Sequence, residues 1–316
     1  MSSVAYLTHP YATRHAMGAH HPERPERVQV IERALAQSGC LARMDCETVE
    51  TLPAGWREAV TRAHRPAYLE ALESLAPSAG LVPIDADTAM NPFTWPAAQY
   101  AAATALRAVD RVLGGQNRRA FCNVRPPGHH AERARAMGFC LLNNAAIAVL
   151  HALEAHGLER VALIDFDVHH GNGSEEILVE AMNAGRVLMV STFQHPLYPG
   201  SGVKPLAMRG SLNIPLAAGS DGRTLREVVE TRWLPALDAF APQLFVVSAG
   251  FDAHRADPLA GLAWTEQDYD WLTRTLVEVA ERHAQGRMVS MLEGGYNLEA
   301  LAASARAHVE ALLDPA

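Results

Sequence analysis

The sequence predicts an α/β protein in which a mostly parallel sheet is covered by helices on both faces. Three observations predict it. Apolar runs of strand length alternate with helical segments along 316 residues, the pattern of successive βαβ units. No internal repeat, low-complexity tract or linker divides the chain, so residues 1–316 are expected to form a single domain. Four of the apolar runs end in polar or glycine-rich clusters, which is where an open α/β sheet collects its function.

In chain order, Val4 to Leu7 reads as a first strand. Thr8 to Pro25 is a polar loop containing His9, His15, His20 and His21, stiffened near its end by Pro22 and Pro25. A helix is expected from Pro25 to Ser38, stopped at Gly39, and two helical pieces within Trp56 to Leu75. The loop around Asp85-Ala86-Asp87-Thr88 leads to a long helix, Trp95 to Leu113. Ala120 to Val124 reads as a strand entering Arg125-Pro126-Pro127-Gly128-His129-His130-Ala131, too rich in Pro and Gly to be regular. A helix over Leu141 to His156 precedes the strand Val161 to Phe166, and another helix begins near Ser174. Arg186 to Ser191 reads as a strand and Phe193 to Gly202 as a loop. Helices over Arg223 to Phe240 and Thr265 to Ala284 flank the strand Leu244 to Ser248. Arg287 to Leu292 is the last strand, and Leu298 to Leu313 a closing helix.

Composition narrows the function. Hydrophobic residues make up 49% and charged residues 20%, enough for a sizeable core. A net charge of −8 with no basic stripe excludes nucleic acid as the main partner. Cys40, Cys46, Cys122 and Cys140 form no CxxC pair, which excludes a zinc ribbon or a thioredoxin-like site. Cys122 and Cys140 lie in apolar surroundings and are expected as buried free thiols, which fits a reducing compartment. No signal core opens the chain, and no run approaches the roughly 20 apolar residues of a membrane span. A cytoplasmic protein without membrane partners is expected.

The central stretch is Val161 to Gly173, an apolar strand that breaks into Asp165, Asp167, His169 and His170 and ends at Gly171 and Gly173. Alternation along a strand puts Asp165, Asp167 and His169 on one face. With Asp252, at the end of the strand over Leu244 to Ser248, Asp167 and His169 offer two carboxylates and one imidazole. That set suits a Zn²⁺-like ion and leaves a position open for catalysis. Fe²⁺ fits it equally. The bland alternative is that Asp165 and Asp167 merely cap the next helix. His129 and His130, in a rigid turn, would carry protons. Asp165 would accept a ring N–H from one of them and Asn172 from the other. Tyr296, after Gly294 and Gly295, would reach a bound carbonyl. Gly138-Phe139 and Tyr198-Pro199-Gly200 place aromatics where they would wall a narrow apolar channel. His170 points away from the ligand face and is expected to be a packing contact. The spacing of the N-terminal histidines matches no ligand pattern, and His21-Pro22-Glu23-Arg24-Pro25 reads as a rigid rim or interface element.

These stretches closely resemble the histone deacetylase family, in particular its class II branch and the bacterial histone-deacetylase-like amidohydrolases. The resemblance rests on His21 to Pro25, Arg125 to Ala131, Gly138-Phe139-Cys140-Leu141-Leu142-Asn143-Asn144, Asp165 to Gly173, Ser248 to Asp252 and Leu292 to Tyr296, in family order across nearly the whole chain. It implies the arginase/deacetylase fold with a central sheet of about eight strands. It implies Zn²⁺ on Asp167, His169 and Asp252, and hydrolysis of an N-acyl amide, typically acetyl-lysine, by metal-activated water. His130 would be the base and later the acid, His129 a charged partner, and Tyr296 the oxyanion donor. Phe139 and Tyr198 would line the acyl-lysine tunnel. Asp87, with Asp85 as the alternative, would hold the substrate backbone at the rim. A structural K⁺ is implied near Asp165, Asp167, His169, Ser191 and Thr192. Asn172 stands where class I members carry Asp, which makes the two histidines inequivalent.

Some relatives act on polyamines. The eukaryotic polyamine-specific type carries a Glu where this chain has Leu259, and a cationic amine would want a carboxylate at the mouth. Leu259 therefore favours an acyl-lysine peptide or protein, or a neutral acyl amide, over an acetylpolyamine. A non-catalytic acyl-ligand binder and an arginase-like two-manganese enzyme share the fold. The intact ligand, histidine and tyrosine set speaks against the first and the small number of carboxylates against the second. The sequence is compatible with an oligomer.

Overall fold

The computed structural model describes residues 3–203 and 210–314. Its centre is an eight-stranded sheet, and every pairing in it is parallel. The strands are β1 (Val4–Thr8), β2 (Asp45–Thr48), β5 (Arg119–Cys122), β6 (Val161–Asp165), β7 (Val187–Gln194), β8 (Ser211–Leu216), β9 (Leu244–Ala249) and β10 (Met288–Leu292), in the order β2-β1-β5-β10-β9-β6-β7-β8. A two-stranded ribbon, β3 (Val82–Pro83) with β4 (Ala89–Met90), stands apart from it.

The apolar runs have a direct cause. The inner strands are buried on both faces, so every side chain must be apolar or paired. Val161 and Leu163 of β6 enter one core, and Ala162 and Ile164 enter the other. β9 divides likewise, with Leu244 and Val246 against Phe245 and Val247. The first core is closed by α2 (Trp56–Ala63), α3 (Pro66–Leu75), α4 (Thr94–Leu113), α5 (Asn144–Glu154) and α6 (Asn172–Asn183). The second is closed by α1 (Glu26–Gln37), α7 (Gly222–Val228), α8 (Leu234–Phe240), α9 (Glu266–Ala284) and α10 (Leu298–Leu313). Burying each such Val, Leu or Ile contributes roughly 1.5–3 kcal/mol. Helices on both faces are the expected cover of an all-parallel sheet.

Local chemistry fixes several boundaries. Asn143 caps α5 by accepting from the Ala146 N–H at 2.9 Å, and Asn297 caps α10 through the N–H groups of Glu299 and Ala300. Thr265 and Asp268 form a reciprocal capping box on α9. The helix expected over Arg223 to Phe240 is interrupted by a π-turn, Val229–Trp233, next to Pro235. The strand read as Arg186 to Ser191 runs on to Gln194, past the expected start of the following loop.

Two sheet strands, β2 and β8, have no strong apolar signature because they lie at the edges. β2 is half exposed with the sequence Asp-Cys-Glu-Thr, and β8 contains Pro215, which only an edge strand tolerates. Among the described residues, no helix is long and apolar enough to cross a membrane.

Candidate active site

The strands whose ends looked unusual are β5, β10, β9 and β6, four consecutive strands at the middle of the sheet. Their C-terminal ends bring His129 and His130, Tyr296, Asp252, and Asp165 to His169 to one place.

Asp165, Asp167 and His169 do converge, but strand alternation is not the whole reason. β6 stops at Asp165, so Asp167 and His169 lie in the turn beyond it. The turn is built from side chains that accept backbone N–H groups. Asp165 Oδ1 accepts from Asp167 N at 3.1 Å, and Asp167 Oδ1 accepts from His169 N at 2.9 Å. Asp252 Oδ1 accepts from Val168 N at 2.9 Å, which locks the β9 end to the β6 end. The carboxylates do not cap α6, which starts at Asn172 without a side-chain cap.

One ligand atom from each of Asp167, His169 and Asp252 lies within 4.8 Å of the others, and all three residues are buried. His169 Nδ1 sits 3.0 Å from Asp167 Oδ1 and 3.3 Å from Asp252 Oδ2. Asp252 Oδ2 is buried with no hydrogen-bond partner. Burial and the neighbouring Asp167 charge push the Asp252 carboxyl up, against the pull of His169. Gly250 and Gly294 leave room for the carboxylates. A Cβ on Gly294 would stand 1.9 Å from Asp252 Oδ2 and 2.5 Å from Asp167 Oδ2, and one on Gly250 2.1 Å from Asp167 Oδ2. Orphaned acceptor, repelling carboxylates and glycine cradle together fit a divalent ion held by this donor set.

The two histidines are held by different partners. His129 Nδ1 donates to Asp165 Oδ2 at 3.0 Å, and its Nε2 lies 3.7 Å from Asp167 Oδ1. Burial pulls this imidazole down, but the Asp167 and Asp165 carboxylates outweigh it and hold it well above the usual range. His130 Nδ1 lies 2.8 Å from Asn172 Oδ1. Burial, then the charges of His129 and His169, hold His130 well below the usual range. The tandem rings, 4.0 Å apart, are thus pushed in opposite directions, His129 towards its charged form and His130 towards its neutral one.

Beside His169 is a cavity of about 200 Å³, lined by His130, His169, Gly138, Phe139, Leu197, Tyr198, Leu259, Asp87 and Tyr296. Phe139 stands edge-on to Tyr296 at 5.8 Å, and Tyr198 edge-on to His130 at 5.1 Å. Phe139 has φ 69°, a left-handed conformation that costs a non-glycine residue roughly 1–3 kcal/mol and persists where the surroundings enforce it. Its N–H donates to Thr88 Oγ1 at 3.1 Å. Asp85 turns into its own loop, accepting from Thr88 N at 2.8 Å, whereas Asp87 lines the cavity. Ser191 stands in register with Asp165 across β6 and β7, and the hydroxyls of Ser191 and Thr192 are buried without partners.

Several important groups were not assigned from sequence. Glu293 is buried and accepts from Gly128 N at 2.6 Å, His129 N at 3.1 Å and Ser248 Oγ at 3.2 Å, tying the histidine turn to β10. Asp257 accepts from Tyr296 N at 2.7 Å and Leu259 N at 3.0 Å. Arg27 donates to the Gly295 carbonyl at 2.7 Å and lies over the Tyr296 ring at 4.9 Å. The segment His21 to Pro25 is only partly a rim. His21 meets Phe139 at 4.6 Å, but Glu23 is fully buried and paired with Arg125, Arg27 and His15. A buried charge needs such partners, and they come from distant parts of the chain. His170 is more than a packing contact. It lies 2.8 Å from Ser201 Oγ, 3.1 Å from Asn213 Nδ2 and 3.4 Å from Glu175 Oε2, and packs on Phe193. The only sequence signals for these groups were their positions beside motif residues.

Known proteins resemble this arrangement across the whole chain. A family model described as the histone deacetylase domain matches residues 21–312. A probable deacetylase of Archaeoglobus fulgidus is 37% identical over 291 residues, covering 90% of this chain and 79% of that protein. A histone deacetylase-like amidohydrolase of Pseudomonas aeruginosa is 37% identical over 285 residues, covering 88% and 73%. The crystal structure of the HDA15 HD domain superposes with a TM-score of 0.91 at 32% identity, covering 100% of this chain and 90% of that one.

Proposed function

The chain belongs to the histone deacetylase family and is a hydrolase with the arginase/deacetylase fold, and we propose that it is a zinc-dependent deacetylase that removes acyl groups from lysine side chains. The observation that carries this reading is the buried Asp167–His169–Asp252 set, whose His169 lines a cavity shared with His130 and Tyr296. In this reading residues 1–316 act as one catalytic domain in the cytoplasm. The free thiols, three of them buried, support that location.

Asp167, His169 and Asp252 would hold Zn²⁺, with Fe²⁺ as the other ion this set accepts. Such an ion supplies Lewis acidity, polarising a carbonyl and lowering the pKa of water. The rest is done by side chains. Asn172 receives the Nδ1–H of His130, which leaves Nε2 unprotonated and able to take a proton from water. The same nitrogen returns the proton to the departing amine. His129, hydrogen-bonded to the Asp165 carboxylate, would supply a positive field without giving up its proton. The Tyr296 hydroxyl donates to the oxygen that becomes negative as the carbonyl is attacked. Its O–H remains protonated because burial raises it well above the usual phenol range. Phe139 and Tyr198 hold the alkyl stem of the substrate and exclude water. The partnerless hydroxyls of Ser191 and Thr192 beside Asp165 support a structural K⁺ in the neighbourhood of Asp165, Asp167 and His169.

An acetylpolyamine substrate is the second reading, favoured by Asp87, a carboxylate on the cavity wall that suits a cationic amine. Leu259 on the same wall favours acyl-lysine. Zinc-loaded protein assayed on acetyl-lysine peptides and on acetylputrescine side by side separates them, with Tyr296→Phe as the control. Faster turnover of the peptide is expected. Faster turnover of acetylputrescine would move the assignment to polyamines, and no turnover of any acyl amide with metal bound would leave only ligand binding.

A further inference from the structure

Outside the candidate active site, a second set of metal-binding atoms converges. Asp110 of α4, His151 in the last turn of α5 and His156 in the turn towards β6 bring a carboxylate oxygen and two imidazole nitrogens within 4.8 Å of one another. Both Nε2 atoms face the same oxygen, Asp110 Oδ1, at 2.7 Å from His151 and 2.8 Å from His156. The two rings meet edge to face at 5.1 Å. We propose that Asp110, His151 and His156 form a second divalent-metal site, for zinc or a related transition ion, that fastens the entry of β6 to α4.

Five features carry this. Two imidazoles and one carboxylate suit zinc, iron, cobalt or nickel, whereas Mg²⁺ and Ca²⁺ take all-oxygen sets. The three ligands come from three segments that are each held in place. α4 and α5 pack in one core, and the turn carrying His156 is closed by Leu158 N–H donating to the Ala152 carbonyl at 3.2 Å. The site lies at the C-terminal end of α5, where the helix dipole favours a cation. The nearby positive charges are already matched, since Arg107 and Arg111 both pair with Glu47. The site is also half open. Asp110 and His156 are exposed and His151 is half-buried, which lets water reach the remaining coordination positions.

The site is remote from the acyl cavity in the chain's architecture, on the helical layer that precedes β6. Occupancy therefore acts on stability. An ion that binds only the folded chain stabilises it according to its concentration over its Kd.

The test uses the full chain dialysed against Zn²⁺, with bound metal counted by atomic absorption, in wild type, His156→Ala and Asp110→Asn. The wild type is expected to hold one zinc equivalent more than either variant. Its melting temperature should rise more with added Zn²⁺, while deacetylase activity is the same in all three. Equal zinc content in wild type and His156→Ala would overturn the proposal and leave two imidazoles donating to Asp110. His156 lies in a surface turn, so this variant decides the matter even where Asp110→Asn fails to fold.

Discussion

Asn172 presents its carbonyl oxygen to His130 Nδ1 at 2.8 Å because its amide nitrogen is committed to Glu132 Oε1, also at 2.8 Å. The amide has one acceptor end and one donor end, so fixing the donor on a carboxylate fixes the acceptor on the ring. His130 must then carry its proton on Nδ1 when neutral, which frees Nε2. Asn172 thus selects the tautomer without contributing charge, whereas Asp165 gives His129 both a hydrogen bond and a negative charge.

Asn172→Asp should reverse part of that difference. A carboxylate beside Nδ1 favours the imidazolium, so the His130 pKa rises and its base form appears only at higher pH. The acidic limb of the kcat/KM profile should move up on the order of 1 pH unit. A profile that stays in place would separate His130 from the base role.

Gly294→Ala should cost metal before it costs fold. The added Cβ would meet Asp252 Oδ2 at 1.9 Å and Asp167 Oδ2 at 2.5 Å, displacing two ligands of the proposed ion. Zinc affinity should fall by roughly a hundredfold, the upper end of what supporting contacts contribute. Competition with a chromogenic chelator measures it, and circular dichroism should remain that of the wild type.

Asp257→Ala tests a carboxylate that touches no reacting group. It holds the Tyr296 and Leu259 backbone N–H groups, so its loss frees the turn that aims the phenol. kcat should drop on the order of ten- to a hundredfold while zinc content and KM change little. A rise in KM alone would make Asp257 part of the cavity wall only.

His308 sets a dependence of stability on pH. It is buried between Thr273 Oγ1 at 2.7 Å and Ser290 Oγ at 2.8 Å, against Phe121, Phe166 and Phe251. Burial lowers it from 6.5 to about 3. Below about 6.5 the unfolded chain takes up a proton that the folded chain refuses, so the wild type loses stability as pH falls towards that lower value. His308→Asn lacks this linkage. Its stability deficit relative to wild type should shrink by about 1.4 kcal/mol per pH unit between pH 6.5 and 5, read from urea midpoints. A constant deficit would mean that the ring is protonated in the fold.

What the sequence could reveal follows from burial. Inner strands such as β6 and β9 are covered on both faces, so they appear as unbroken apolar runs, and the chemistry at their ends stands out against them. β2 and β8, covered on one side or exposed, blend into polar loops. Asp167, His169 and Asp252 were legible because carboxylates and imidazoles following apolar strands are conspicuous. Asp165 and Asn172 were legible as their partners, and the structure assigns Asp165 to His129 and Asn172 to His130. Glu293, Asp257, Glu23 and Arg27 were not. Each acts through partners that include distant segments, and a single charged residue carries no periodic signal of its burial. The alternation that put Asp165, Asp167 and His169 on one face extended a strand past its end. A turn of carboxylate-to-backbone hydrogen bonds achieves the same convergence.

The proposed role of Asp167, His169 and Asp252 is to hold the ion that hydrolysis requires. Its most direct test is the zinc dependence of acetyl-lysine peptide turnover in wild type and Asp252→Ala, after chelation and after zinc is restored. The wild type should lose turnover on chelation and regain it with zinc, and Asp252→Ala should show none in either state. Full turnover by Asp252→Ala would contradict the assignment.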